Sequence, residues 1–271
     1  MSFVRVNNQD LFFQDSGGTG EPLIFLHGFL FDQSMFDTQV SALAPDYRCI
    51  RVDTRGFGQT VWDGLEFDLY DVVSDCIGLL DKLGIEKATF IGMSQGGYAS
   101  IRLAVKHPER VKALVLMSTR KDIESNEFNR NYLGLRDDWV KDGASELYIN
   151  NLMTLLIGNE DVFSSYWDLW KPKWKAFSGN QMYHTINALL ARIPVTEEHI
   201  RQIQVPVLSI HGMDDYGTPL ILADQLYDLF PNGKGKVRVK GAAHSVNITH
   251  AQEVNPPLRA FLDDHVGGSG S

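Results

Sequence analysis

The sequence predicts one α/β domain built on a largely parallel sheet, with a helical segment inserted late in the chain. As far as about Thr119, short and wholly apolar runs alternate with segments that have apolar residues at helical spacing. From Asp122 to about Ile200 the pattern is helical without clear strands, and the strand-helix alternation then resumes. Because wholly apolar strands are covered on both faces, this alternation indicates a parallel sheet between two layers of helices.

The first half of the chain begins with a predicted antiparallel hairpin and continues as alternating strands and helices. The hairpin strands are "SFVRV" and "LFFQD", with the polar turn "NNQD" at their junction. The next strands are "PLIFLHG" and "YRCIRVDTRG", with the helical pattern "SMFDTQVSALA" between them. The helix "DLYDVVSDCIGLLDKLG" ends at a glycine stop signal. After it come the strand "ATFIG", the helix "QGGYASIRLAVKHPER" and the strand "VKALVLMST".

The second half contains the helical insertion and the end of the sheet domain. Four of the five tryptophans lie in the insertion: Trp139, Trp167, Trp170 and Trp174. After it come the strand "VPVLSIHG", the helix "PLILADQLYDLF", the strand "KVRVKG" and the last helix "AQEVNPPLRAFLDDH". The predicted boundaries are residues 1–118 and 201–266 for the sheet domain, 119–200 for the insertion, and 267–271 for a linker-like tail.

Charge and composition argue against several classes of partner. The formal net charge is -9 at pH 7 with no long basic run, which disfavours nucleic acid or an anionic membrane as the main partner. No stretch is long and apolar enough to span a bilayer, and the first residues lack the apolar core of a signal peptide. Cys49 and Cys76 are therefore expected to be reduced, buried thiols, and the expected location is cytoplasmic.

The segment "GMSQGG", residues 92–97, places Ser94 between a predicted strand and a predicted helix. A strand that turns at once into a helix makes a tight corner, and glycine at positions 92 and 96 avoids the side-chain clashes expected there. The apex would face the carboxyl edge of the sheet, where the free N–H groups of a helix N-terminus favour developing negative charge. This pattern indicates a nucleophilic serine, and the alternative is a glycine-rich turn with an ordinary capping serine.

A serine nucleophile needs a base, and the base needs an acid that orients it. Of the eight histidines, only His244 combines a loop at the end of a strand with a position late in the chain, although it could also be a solvated loop residue. Asp214 and Asp215 follow the strand in "LSIHGMDDYGTP" and are both candidates for the acid. A turn with Asp and Gly is also common without any catalytic role. The order Ser94, Asp215, His244 is the one that this type of architecture uses.

Five motifs together resemble the α/β-hydrolase superfamily over essentially the full length of the chain. "HGF" follows the third strand, "DTRGFGQT" follows the fourth, and "GMSQGG" forms the corner at Ser94. "HGMDDYGTP" follows the seventh strand, and "GAAHS" follows the eighth. The resemblance implies the α/β-hydrolase fold: a mostly parallel eight-stranded sheet flanked by helices, with a helical cap inserted after strand six. It also implies that the acid is Asp215 rather than Asp214 and that the base is His244. The oxyanion hole maps to the backbone N–H groups of Phe29 and Gln95.

The activity that the resemblance implies is hydrolysis of a carboxylic ester or lactone through an acyl-enzyme on Ser94. The motifs are most similar to the branch of enol-lactone hydrolases, small esterases and cofactor-free perhydrolases. Perhydrolysis and cleavage of a carbon–carbon bond at the same triad are the alternatives, and a ligand receptor that retains the fold is a further one. The expected partner is a small apolar ester or lactone, and no metal or organic cofactor is expected.

The expected substrate-binding residues are mostly large side chains of the cap, because these could line an apolar pocket. The candidates are His27, Trp139, Phe163, Trp167 and Trp170. Each has an ordinary structural interpretation as well. Aromatic residues on such helices commonly pack the cap onto the body of the domain, and His27, which ends a strand as "HG", also has the features of a turn residue.

Overall fold

The structure, a computed structural model, describes residues 2–121 and 126–267. Within these residues, one sheet contains the eight strands β1 (Ser2–Val6), β2 (Gln9–Asp15), β3 (Pro22–Leu26), β4 (Arg48–Val52), β5 (Ala88–Met93), β6 (Val111–Met117), β7 (Val207–Gly212) and β8 (Gly233–Val239). Their order across the sheet is β1-β2-β4-β3-β5-β6-β7-β8. Strands β1, β2 and β4 pair antiparallel, and all later neighbours in this order pair parallel. The predicted eight-stranded, mostly parallel sheet is confirmed.

The first two strands form the predicted hairpin. Val6 pairs with Gln9, and the two residues between them, Asn7 and Asn8, have φ angles of 47° and 64°. Two consecutive residues with positive φ are what a tight hairpin turn requires, and asparagine adopts this conformation more readily than most residues. The turn therefore follows directly from the two asparagines.

Helices cover both faces of the sheet. They are α1 (Asp37–Leu43), α2 (Leu69–Lys82), α3 (Gln95–Lys106), α4 (Asn126–Asp142), α5 (Glu146–Leu156), α6 (Glu160–Lys175), α7 (Gly179–Leu190), α8 (Glu197–Arg201), α9 (Leu220–Tyr227), α10 (Val246–Thr249) and α11 (Ala251–His265). Alternate residues of β3 belong to different core clusters: Leu23 packs in the cluster that contains Leu258 of α11, and Ile24 in the cluster that contains Leu79 of α2. This period of two is the geometry of a strand buried on both faces.

Helices α4 to α8 lie between β6 and β7, where the sequence predicts the insertion, and we refer to α4–α7 as the cap. Within the cap, α4 packs on α7 and α5 packs on α6. The cap joins the core through aromatic contacts: the rings of Trp170 and Trp174 lie 4.8 and 5.3 Å from the ring of Phe31. Residues 122–125 at the predicted start of the insertion, and residues 268–271 of the predicted tail, lie outside the described residues.

Two further expectations concern the cysteines and the absence of a membrane span. Cys49 and Cys76 are both free and buried, as expected. In the described part of the chain, no helix has the length and apolar character needed to cross a membrane.

Candidate active site

Ser94 lies at a sharp corner between β5 and α3. Its φ and ψ angles are 50° and -111°, a conformation in which a residue other than glycine is strained. The backbone holds it there, because its N–H donates to the carbonyl oxygen of Met117 at 2.8 Å and its carbonyl accepts from the N–H of Tyr98 at 3.0 Å. The Ser94 side chain forms no capping hydrogen bond with α3, which disagrees with the interpretation of Ser94 as an ordinary capping residue.

The glycines around Ser94 are required by close packing of the backbone. A Cβ atom on Gly92 would lie 2.5 Å from the carbonyl carbon of Gly96, and a Cβ atom on Gly96 would collide with the carbonyl group of Leu26. A Cβ atom on Gly97 would overlap the side chain of Thr119. Real side chains do not approach backbone atoms this closely, so the density of glycine in this segment is a steric condition of the corner.

His244 and Asp215 form a buried hydrogen-bonded pair next to this corner. The distance from His244 Nδ1 to Asp215 Oδ2 is 2.7 Å, and both residues are buried. The other carboxylate oxygen of Asp215 accepts the backbone N–H of Thr218 at 2.7 Å. Asp214, the alternative acid, is exposed. The structure therefore brings Asp215, rather than Asp214, to the histidine.

His211 is a second histidine beside Asp215, and it is not among the residues that the sequence predicts for the site. It is fully buried, and its Nε2 lies 2.7 Å from the carbonyl oxygen of Thr218 and 3.3 Å from Asp215 Oδ2. Burial by itself would raise the pKa of the Asp215 carboxyl, but His244 and His211 together hold this pKa well below its usual range. Asp215 is therefore ionised at neutral pH. Its i, i+4 spacing from His211 in the segment "HGMDD" is the sequence signal that could have pointed to this contact.

Two backbone N–H groups near Ser94 are free to bind an anion. Within residues 2–121 and 126–267, the N–H groups of Phe29 and Gln95 donate no hydrogen bond. Gln95 is the first residue of α3, where the helix dipole favours negative charge. The loop of Phe29 approaches the corner closely, because a Cβ atom on Gly28 would lie 2.5 Å from Met93 Sδ. Buried N–H groups usually have partners, so two free ones beside a serine suit an oxyanion.

Ser94 and His244 line the same cavity under the cap. The cavity measures about 30 Å³. Its walls are mainly apolar and come from β5, α3 and loops of the sheet domain and from α4, α5 and α7 of the cap: Phe29, Phe31, Met93, Tyr98, Phe128, Tyr132, Leu155, Leu156, Leu189, Gly217 and Thr218. Larger cavities are present elsewhere among the described residues, but they are not lined by Ser94 or His244.

The expected substrate-binding residues do not line this cavity, and two of them instead support the loop that carries Phe29. His27 is buried; its Nδ1 donates to the carbonyl oxygen of Gly28 at 2.8 Å, and its Nε2 accepts from the N–H of Thr54 at 3.0 Å. Burial lowers the pKa of His27, which agrees with a neutral ring making these two hydrogen bonds. Trp170 packs its ring against Phe31. These contacts give His27 and Trp170 a supporting role for the loop of Phe29, and their contact with substrate stays a prediction.

The other three expected residues lie within the packing of the cap. Trp139 donates its indole N–H to the carbonyl oxygen of Phe177, and Trp167 donates to that of Gly158, both at 3.0 Å. The ring of Phe163 lies beside His250, with the ring centres 5.9 Å apart. Trp139 and Trp167 are buried and Phe163 is half-buried, and none of the three lines the cavity at Ser94, so that their binding of substrate stays a prediction. The cap residues that line the cavity are instead Phe128, Tyr132, Leu155, Leu156 and Leu189.

Comparisons with known proteins agree with this fold. The alpha/beta hydrolase fold family matches residues 21–251, and the chain belongs to this family of enzymes. A Mycobacterium tuberculosis protein provisionally named as a non-heme bromoperoxidase is 31% identical over 259 residues, covering 92% of this chain and 96% of that protein. A bifunctional esterase/perhydrolase of Acinetobacter calcoaceticus is 26% identical, covering 93% of this chain and 96% of its own length.

A similar structure has also been solved. The enol-lactonase from Burkholderia xenovorans superimposes with a TM-score of 0.88 and 22% identity, covering 96% of this chain and 99% of that one. At this identity the likeness shows a shared fold. The predicted α/β-hydrolase fold is thus confirmed, and the relatives of this chain include haloperoxidases, esterases and an enol-lactonase by name.

Proposed function

We propose that this protein is a serine hydrolase that cleaves a carboxylic ester or lactone. The observation that carries the proposal is one group of residues: Ser94 at a strained corner, His244 on the same cavity with its buried partner Asp215, and two free N–H groups beside the serine. A nucleophile, an oriented base and preorganised donors are the groups that acyl transfer requires. The names of the esterase and enol-lactonase relatives support the same reaction class.

In the proposed mechanism, His244 Nε2 accepts the proton of Ser94 as Oγ bonds to the substrate carbonyl carbon. The N–H groups of Phe29 and Gln95 stabilise the oxygen that becomes negative. The tetrahedral intermediate collapses, the bond to the leaving alkoxide breaks, and His244 returns the proton to it. Asp215 accepts a hydrogen bond from Nδ1–H throughout, which fixes the tautomer and stabilises the imidazolium. Water then repeats the sequence on the acyl-enzyme, and the acid is released.

Perhydrolysis is a second candidate because of one specific observation. A relative that covers nearly the whole chain is named as both an esterase and a perhydrolase, and others are named as haloperoxidases. In this reaction hydrogen peroxide replaces water in attacking the acyl-enzyme, so that the acyl group leaves as a peracid and Ser94 regains its proton. The same constellation of side chains suits both reactions, and they differ only in the acyl acceptor.

A substrate panel with a matched variant tests the proposal. The panel contains activated esters, lactones, a carboxylic acid with hydrogen peroxide, and a vinylogous diketone for carbon–carbon cleavage, each assayed with the wild type and with Ser94→Ala. We expect ester or lactone turnover that Ser94→Ala removes. Faster peracid formation than hydrolysis would select the second candidate. Folded wild-type protein that turns over no ester or lactone would contradict the leading one.

A further inference from the structure

The cavity at Ser94 is too small to hold a complete substrate of ordinary size. A single buried water needs about 10–15 Å³, so a cavity of about 30 Å³ has room for about two waters. Pockets that enclose small-molecule ligands measure about 300–1,000 Å³. Any substrate with more than a few heavy atoms must therefore extend through one of the cavity walls.

One wall of the cavity separates it from a much larger groove between α4 and α5. We call this the α4–α5 groove; it measures about 490 Å³, and its lining includes Phe128, Tyr132, Leu135, Tyr148, Leu152 and Leu155. Three of these residues, Phe128, Tyr132 and Leu155, also line the cavity at Ser94. The two spaces thus share a partition made of three side chains.

The groove exists because the cap is built from two helix pairs. Helix α4 packs on α7 and α5 packs on α6, so that α4 and α5 leave a seam between the pairs. A hydrogen bond from the Tyr148 hydroxyl to Asp138 bridges the two helices across this seam. The buried side chains of Leu135 and Leu152 form an apolar floor, and the exposed Asn151 lies at the rim. An apolar floor with a polar rim suits a hydrocarbon chain that enters from the cavity side.

Two of the three side chains in the partition, Phe128 and Leu155, are partly exposed. The rings of Phe128 and Tyr132 are stacked, with centres 4.3 Å apart, and come from successive turns of α4. Leu155 faces them from α5 and is only half-buried. Phe128 is half-buried as well, whereas Tyr132 is buried. Rotamer changes of partly exposed side chains are fast compared with catalysis, so Phe128 and Leu155 can open the partition without movement of the helices.

We infer that the α4–α5 groove binds an extended apolar chain of the substrate, which reaches it from Ser94 between the Phe128–Tyr132 pair and Leu155. The inference rests on the proposed function and narrows the substrate class to esters or lactones that carry such a chain. Phe128, Tyr132 and Leu155 are then specificity-determining residues. Short substrates use the cavity alone, and long substrates use both spaces.

The test compares a variant that fills the groove with a matched one that does not. Asn151→Trp places a ring at the groove, and Thr154→Trp places the same ring on the same helix at an exposed position that does not line the groove. The substrates are p-nitrophenyl acetate and octanoate, with ethyl and octyl acetate as a second series in which the chain is on the alcohol side. In at least one of the two series, we expect Asn151→Trp to lower kcat/KM for the long ester by about tenfold or more, because the apolar chain would lose its burial in the groove.

A control variant, Thr154→Trp, and a variant that opens the partition, Leu155→Ala, complete the test. Thr154→Trp should leave both long and short esters within about twofold of wild type, as for most surface substitutions. Leu155→Ala should raise the ratio of long-ester to short-ester kcat/KM, because it shortens the partition. An unchanged ratio in both series for Asn151→Trp and Leu155→Ala would overturn the inference. So would an equal loss on short and long esters.

The experiments distinguish two failures: the groove not binding the substrate chain, and the protein not hydrolysing esters at all. Wild-type turnover of the short esters without any chain-length effect would contradict the groove alone. If the wild type hydrolysed no ester, calorimetric binding of a long-chain methyl ketone would still test the groove, because this probe keeps the carbonyl and the chain but has no leaving group. Weaker binding to Asn151→Trp than to Thr154→Trp would support the groove, and equal binding would overturn it.

Discussion

Replacement of Asp215 by asparagine should nearly abolish turnover while leaving the fold intact. The Asp215 carboxylate accepts from His244 Nδ1 and from the N–H of Thr218, both at 2.7 Å, and His211 Nε2 lies 3.3 Å away. Asparagine has the same shape and can still accept from Thr218, but it has no negative charge. Its amide would favour the wrong tautomer of His244 and would not stabilise the imidazolium. A loss in kcat of about 10³–10⁴, or about 4–5.5 kcal/mol in the barrier, follows from this change.

The assay is kcat for the best substrate of the panel, with Asp214→Asn as the matched control. Asp214 is the exposed neighbour of Asp215, and its replacement removes the same charge one residue away. We expect Asp214→Asn to stay within about tenfold of wild type, since only a group that contacts the histidine fixes its tautomer. Circular dichroism and thermal unfolding establish that both variants fold. Equal losses in the two variants, or a loss in Asp214→Asn alone, would refute the assignment of the acid.

Two further predictions concern stability. Gly96→Ala should destabilise the fold by about 3 kcal/mol or more, because the added Cβ collides with the carbonyl group of Leu26; an unchanged midpoint of thermal unfolding would contradict this. Lys173→Met should cost about 1 kcal/mol at neutral pH by removing the 2.7 Å ion pair between the cap and Asp32. Burial opposes ionisation of Asp32, but the hydrogen bond from Lys173 lowers its pKa below the unfolded value of 3.8. The pair therefore stabilises the fold above that pH, and the difference in urea unfolding between wild type and Lys173→Met should shrink as the pH falls through the folded pKa.

The parts of the site that depend on local sequence could be predicted well. The corner at Ser94 requires glycine where the backbone of one strand or helix touches that of another, and residues 92–97 show this requirement as their glycines. Apolar runs likewise mark the strands, and the carboxyl ends of parallel strands meet at one edge of a sheet. This is why the sequence could predict that His244 and Asp215, which are far apart in the chain, lie close together.

The parts that depend on how the cap packs could not be predicted in the same way. Tryptophan is as suitable for filling a helical interface as for lining a pocket, and composition does not distinguish the two. Trp139 and Trp167 fill the interior of the cap, whereas Tyr132 and Leu155 face the cavity. Which face of α4 or α5 meets Ser94 is decided by the pairing of the cap helices, which no single segment encodes. His211 has the sequence pattern of a turn residue, and its contact with Asp215 depends on the conformation of the following loop.

The central claim is that Ser94 is a nucleophile activated by His244. A fluorophosphonate reacts covalently with such a serine, and peptide mapping by mass spectrometry then locates the label. We expect a label on Ser94 in the wild type and its loss in folded His244→Ala, because the serine hydroxyl needs the base to react. A label on a different serine, or no label on folded wild-type protein, would contradict it.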